Sequence, residues 1–364
     1  MNKDITFRQL RILCFVAMLS PFLRLLPASV TAHAGSAAWV SGALSLLPAL
    51  LLTAMLTLLL KSFPQGQGIS NVLPCILGSF VGKSLLFLWS VWLVFHSGFL
   101  LRSGADRFIA TIYPTAKPAF FMVTTAIACT VAALGHIKPL ARSAELFRPL
   151  LLFVIFIVLV FTIEDVEPTF LLPITWDDAP AILKGLPLAA EAVSVALVTM
   201  GFAARYTAPD EKSHSLLPWL VGVTVLNVLL CAISVGSLGK TYTTALGYPF
   251  FIMARDLSIF SGVERIEALV VGLWLLPDFV LITLELIIAA DNLLLIFNRS
   301  DTKNTKRISI LIASALAMLI AFRISPDGQH MHRWSDEIIP AIHLAWAYAV
   351  IPLVLLIGGL RKKF

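Results

Sequence analysis

The chain has 364 residues, 59% of them apolar and 13% charged, with a formal net charge of +6. Its mean hydropathy is +0.91. An ordinary soluble domain is roughly one quarter charged and needs far more polar surface to stay dissolved. Soluble globular, disordered and disulfide-scaffold classes are therefore excluded, which leaves a polytopic membrane protein made of helices.

A spanning helix takes about 20 apolar residues. In chain order the apolar runs predict ten spans, at 9–30, 38–60, 84–108, 118–135, 141–162, 180–204, 215–238, 264–297, 307–324 and 336–360. A β-barrel would alternate apolar and polar residues at every second position, whereas runs such as 46–60 and 149–161 are continuously apolar. Arg8 and Arg11 before an apolar run that ends in Val30-Thr31-Ala32 could pass for a signal peptide. The pattern Thr6-Phe7-Arg8-Gln9 argues instead for an ordinary helix start, because Thr6 can cap the first turn and Gln9 can reach back.

With a cytoplasmic N-terminus, 17 of the 27 Lys and Arg fall on the inner side, from Lys3, Arg8 and Arg11 to Arg361, Lys362 and Lys363. The outer segment 162–178 is acidic, with Glu164, Asp165, Glu167, Asp177 and Asp178. Both signs predict cytoplasmic N- and C-termini. The acidic loop divides five spans from five. This suits two halves, 1–165 and 166–364, related as a five-plus-five inverted repeat within one membrane domain. Broken helices at matching places would support such a repeat. Ser20-Pro21 in the first span and Gly185-Leu186-Pro187 in the sixth are the expected breaks, because proline removes a backbone donor and clashes with the preceding turn.

Cys14, Cys75, Cys129 and Cys231 lie far apart without metal-ligand spacing, and read as small packing residues. His330 and His332 alone are weak grounds for a metal. The chain has no Walker loop, no His-Glu-x-x-His and no Gly-x-Ser-x-Gly. Neither an enzyme, a cofactor nor nucleic-acid binding is expected.

The segment 248–274, YPFFIMARDLSIFSGVERIEALVVGLW, resembles the spore germination permeases, the B subunits of endospore germinant receptors. The resemblance rests on Tyr248, Pro249, Arg255, Glu264, Arg265, Glu267 and Trp274. Phe63-Pro64 with Leu77-Gly78 and Gly82-Lys83, and Gly135, Arg142 and Pro149, also fit. It covers nearly the whole chain. That family is similar to the amino acid–polyamine–organocation transporters, so the resemblance implies a LeuT-type fold with broken first and sixth helices. It also implies binding of a small germinant, often an amino acid, at the spore inner membrane, beside a larger A subunit and a lipoprotein C subunit.

In that fold the ligand sits between the two breaks. Met18, Leu19, Ser20, Pro21 and Phe22 would line one side, and Ala190, Glu191 and Ser194 the other. A half-helix N-terminus suits a carboxylate, and unwound carbonyls suit an ammonium or a cation. A competing reading for Ser20 and Ser194 is a hydroxyl bonded back to its own helix. Arg24 would pair with a germinant carboxylate or with Glu191, or else snorkel to the outer interface. Glu191 and Glu285 are intramembrane carboxylates, with Asp278 and Asp291 nearer the ends of the eighth segment. Removal from water disfavours a carboxyl's charged form, which suits a proton carrier; pairing with Arg24 or Arg102 is the structural alternative. His96 and Ser97 lie midway along the third span. Ser261-Gly262-Val263-Glu264 reads as a capping box. Three functions follow as expectations: a germinant-sensing subunit, a proton- or sodium-coupled amino acid transporter, or an ion or water channel component.

Overall fold

The structure is a computed structural model. It describes residues 5–24, 26–64, 66–111, 113–208, 215–256, 266–300, 302–324, 331 and 333–361, without the side chains of Arg24, Asp256 and 266–271. Apart from an isolated bridge between Ile5 and Thr207, the regular structure of the described residues is helical.

The first predicted span is covered by α1 (Phe7–Arg24) and α2 (Leu26–Ala34), on either side of residue 25, which lies outside the described residues. The expected capping box starts α1: the Gln9 amide donates to Thr6 Oγ1 at 3.1 Å, and the Thr6 amide donates to Gln9 Oε1 at 3.0 Å. The second span is split at Ser45 into α3 (Ala38–Leu44) and α4 (Leu46–Lys61). A short amphipathic helix that the span reading missed, α5 (Ile69–Leu77), leads into α6 (Ser79–Thr111). Then follow α7 (Pro118–Leu134), α8 (Ile137–Thr162), the single turn α9 (Pro168–Leu171) and α10 (Ala179–Ala203). The remainder is α11 (Leu217–Ala245), α12 (Pro249–Asp256), α13 (Ile266–Ile296), α14 (Lys303–Arg323) and α15 (Trp334–Leu360).

Eight helical stretches among the described residues are long and apolar enough to cross a membrane. Leu26–Lys61 counts as one of them; Phe7–Arg24 is not counted, and Pro118–Leu134 is a shorter apolar helix. The ten predicted segments thus each have a helical counterpart, but ten uniform spans do not emerge. The reason is local: Phe7–Arg24 carries three arginines, Pro118–Leu134 has only 17 residues, and Leu26–Lys61 runs on as one stretch past Gly35 and Ser45.

The predicted break of the sixth span is corrected. Helix α10 runs from Ala179 to Ala203 with Pro187 inside it. A neighbouring side chain serves the backbone there. Ser41 Oγ donates at 2.8 Å to the Ile182 carbonyl, next to the carbonyl that Pro187 deprives of its donor. Gly185 permits the approach, since a Cβ there would lie 2.8 Å from Ala34 Cβ. In the first span, α1 likewise winds through Ser20-Pro21-Phe22.

The core of the bundle is α1, α6, α10 and α13, whose inner faces are buried, while α4, α8 and α14 keep large apolar side chains on the outside. That inversion is what a lipid solvent requires. Gly98 of α6 is packed so closely on α14 that a Cβ would lie 2.6 Å from the Ala317 carbonyl, a small-residue contact of the membrane type. One end of the bundle carries Lys61, Lys83, Arg205, Arg307 and Arg361 (the basic end), and the other carries Glu164, Asp165, Asp177 and Asp178 (the acidic end).

Candidate functional site

Glu191 lies at the centre of the 25-residue α10, about 18 Å from either end at 1.5 Å per residue. Its Oε1 meets His343 Nδ1 of α15 at 2.5 Å. Opposite, Glu285 of α13 meets His96 Nδ1 of α6 at 2.6 Å and accepts from Ser97 Oγ at 2.9 Å. The two imidazoles stand edge to face with centroids 5.1 Å apart. All four ionisable side chains are buried. The bundle therefore holds two carboxylate–imidazole pairs face to face.

These pairs enclose a cavity of about 30 Å³. Cys14, Ala17, Met18 and Pro21 of α1 form one wall; Glu191, Val195, Ala196 and Thr199 of α10 form another. The cavity has room for about one or two water-sized groups and is smaller than an amino acid. Trp92 stacks on His96 at 6.0 Å and meets His343 edge-on at 5.7 Å, while Trp89 packs on Phe202 and Trp346. His343 reaches the cavity from Ile339–Ala345, a stretch of α15 between two π-helical turns, Trp334–Ile338 and Trp346–Val350. Such turns shift helix register and are frequent at functional sites.

Polar layers lie on both sides. Towards the acidic end, Asp278 of α13 takes both Arg107 Nη2 and Ser20 Oγ, tying α13, α6 and α1 together. The Arg107 guanidinium sits 5.3 Å from the Trp274 ring, and its buried Nε and Nη1 have no hydrogen-bond partner among the described residues. Towards the basic end, Asp291 accepts from Tyr206 at 2.6 Å and faces His136 at 3.6 Å. The Ile5 amide donates to the Tyr206 carbonyl at 3.3 Å, closing the start of the chain over this layer. Beyond the layers are wider recesses. The one at the basic end, about 300 Å³, lies between α1, α4 and α10; the one at the acidic end, about 780 Å³, is lined by α2, Leu172–Pro173 and Lys240.

Of the expected ligand-lining residues, Met18, Pro21, His96 and Glu191 line the cavity, as does Glu285. Leu19, Phe22 and Ala190 are buried, but they are not among its lining residues. Ser20 is engaged by Asp278 rather than by its own helix. Ser194 does bond back to Ala190 at 2.7 Å and also meets the Tyr348 hydroxyl at 2.9 Å. The partners differ from expectation. Glu191 meets His343, and the side chain of Arg24 lies outside the described residues. Arg102 pairs with Asp106 on its own helix at 2.9 Å, not with Glu285, because a residue four positions on is within easy reach.

In the 248–274 segment, Tyr248, Phe250 and Phe251 surround Trp274 with centroids within 6.4 Å. Pro249 and Arg255 lie at the start and in the last turn of α12. Glu264, Arg265 and the rest of the capping box at 261–264 lie outside the described residues, as do the side chain of Glu267 and both His330 and His332. Among the described residues, no group of three or more His, Cys, Asp or Glu could hold a metal ion. The residue missed from sequence is His343, which sits in an apolar span like any packing histidine; its signal is only that it is an ionisable group inside a membrane segment.

No curated protein matches the chain. Among solved structures it is similar to MhsT in complex with L-phenylalanine, with a TM-score of 0.68, 11% identity and 100% of both chains covered. At that identity the likeness shows the fold, which is of the LeuT type. A family model described as spore germination protein matches residues 4–328. This integral membrane protein, with its helical bundle of the permease kind and its central charged cavity, therefore belongs to the spore germination protein family.

Proposed function

We propose that the chain is the membrane-embedded B-type subunit of a germinant receptor, and that it binds a small germinant, an amino acid by preference, at the central cavity. The observation that carries this reading is the pair of carboxylate–imidazole contacts, Glu191–His343 and Glu285–His96, around a small central space. Buried charges of this kind are costly in a membrane and mark ligand or ion sites. The about 30 Å³ space corresponds to a closed arrangement. A germinant would bind more tightly to an arrangement with α1 and α10 further apart, and so shift the population. The change would pass to a larger A-type subunit and a lipoprotein C-type subunit in the spore inner membrane, with both termini cytoplasmic. The two halves, 1–165 and 166–364, would act as inverted five-helix repeats.

Spores carrying Glu191→Gln or Glu285→Gln test this. Losing one charge-assisted contact should raise the germinant concentration for half-maximal germination roughly 10- to 100-fold, while immunoblots show the protein still accumulating. An unchanged dose response in both variants would overturn the reading.

A second reading is a proton-coupled amino acid transporter. The same two pairs favour it, because ionisable side chains inside a membrane segment mark ion and proton pathways. Uptake of amino acid into proteoliposomes driven by a proton gradient would decide for transport.

A further inference from the structure

We infer that the central cavity takes a primary ammonium group, and that this group enters in exchange for one proton. The inference rests on the reading of this cavity as the ligand site and gives that site its chemistry. The ionisable groups at the cavity come from every helix around it: the Cys14 thiol from α1, His96 from α6, Glu191 from α10, Glu285 from α13 and His343 from α15. Behind them, the Tyr348 hydroxyl holds Ser194, and the Asp278–Arg107 pair lies further towards the acidic end.

Charge balance then sets what can enter. A carboxylate–imidazole pair sharing one proton is neutral as a unit. A cation added to two neutral pairs leaves an uncompensated buried charge, which a low-dielectric interior does not tolerate. If one pair releases its proton, it becomes a carboxylate beside a neutral imidazole, and its single negative charge balances the ammonium. The exchange is written R–NH3⁺ plus protonated pair giving R–NH3⁺ with the deprotonated pair, plus H⁺. No bond to carbon forms or breaks, and no oxidant or other reactant is needed.

Geometry favours a nitrogen donor over a metal ion. Each carboxylate is already held by an imidazole at 2.5–2.6 Å, and these are hydrogen-bond separations between side chains. A hard cation would need six or more oxygens around it, whereas an ammonium needs three acceptors. Glu191 and Glu285 supply carboxylate oxygens from opposite walls, and a freed imidazole nitrogen supplies another acceptor. The cavity volume of about 30 Å³ fits such a group and little more. The remainder of a larger amine would require the helices to part.

The test uses the purified full chain in detergent and methylammonium chloride, the smallest primary amine salt with a carbon attached. Tetramethylammonium chloride has the same charge without N–H groups and serves as control; sodium propionate probes carboxylate recognition. Binding is read from tryptophan fluorescence, since Trp89 and Trp92 both contact His343. Proton release is read with an indicator dye in weakly buffered solution. The expected result is a saturable fluorescence change with methylammonium only, release of about one proton per chain, and a half-saturating concentration that rises about tenfold for each unit of pH lowered. Glu285→Gln or His343→Gln should reduce the pH dependence. The wild-type result stands even if these variants do not fold.

Saturable binding without proton release overturns the inference. So does an equal response to tetramethylammonium, a response to propionate alone, or no saturable response to methylammonium. Proton-linked amine binding together with an unchanged germination response of both Glu191→Gln and Glu285→Gln spores would leave the inference standing and remove the sensing reading.

Discussion

Arg107 is almost fully buried, and among the described residues only its Nη2 meets a carboxylate. Among those residues Asp278 and the face of Trp274 are what neutralise it. Removing one partner of a buried pair leaves an unpaired charge and costs about 3–5 kcal/mol, whereas removing both can be close to neutral. Asp278→Asn should therefore lower the thermal stability of the detergent-purified protein sharply, and Arg107→Met added to it should restore most of the loss. Asp106→Asn, which breaks the pair between the buried Arg102 and a carboxylate 30% exposed, should cost less than Asp278→Asn, because water reaches that carboxylate. Equal losses in the two single variants would contradict the assignment. At this scale the sequence revealed which residues matter better than whom they meet. Glu191, Glu285 and His96 stand out because each interrupts an apolar run. Their partners are 152 and 189 positions away, a separation that no local pattern encodes. His343 stayed hidden for that reason, and Arg102 was matched to a distant carboxylate when a near one sufficed.

The helices themselves were largely legible, because a lipid-facing element must be continuously apolar and its length is fixed by the bilayer. Proline was the misleading signal. Pro187 predicted a gap in α10, but Ser41 and the small Gly185 let a neighbouring helix serve the backbone without unwinding it. The π-helical turns of α15, Trp334–Ile338 and Trp346–Val350, are each followed two residues on by a proline, Pro340 and Pro352, which removes the donor for a carbonyl inside the turn, so there proline did mark a local irregularity. Close contact between helices is a testable property of the same kind. Gly98 stands one residue after Ser97 and two after His96, and its missing side chain lets α6 lie directly on the Ala317 backbone. Gly98→Val would push these helices apart. Overpacking of this sort costs about 1–3 kcal/mol, and it would also turn His96 and Ser97 relative to Glu285. The expected outcome is a lower melting temperature together with a loss of amine binding. Gly272→Val, at a glycine with open space beside it, should leave melting within about 0.5 kcal/mol of wild type. A Gly98→Val protein that melts and binds like wild type would show that the contact is not tight.

Across the whole molecule two polar layers flank the central cavity and differ in construction, and the difference predicts which side opens first. The acidic-end layer is a buried ion pair joining α1, α6 and α13. The basic-end layer centres on Asp291, which accepts from Tyr206 and faces the partly exposed His136 at the longer distance of 3.6 Å, with Ser70 to Asn292 at 2.7 Å and the backbone contact of Ile5 with Tyr206 beside it. It also abuts a recess of about 300 Å³ between α1, α4 and α10, into which those helices can shift. A hydrogen bond to a charged carboxylate is worth about 1.5–3 kcal/mol. Tyr206→Phe should thus raise the population open at the basic end by roughly 10- to 150-fold. Cys14 reports on this directly, since it is buried and lines the central cavity, while Cys75 is the exposed cysteine. In a Cys75→Ser background reconstituted in vesicles, a membrane-impermeant thiol reagent offered at the basic end should label Cys14 faster in Tyr206→Phe than in the parent. Offered at the acidic end, it should label both at the same slow rate. Faster labelling from the acidic end, or no change from either, would reverse or remove the assignment of the weaker layer.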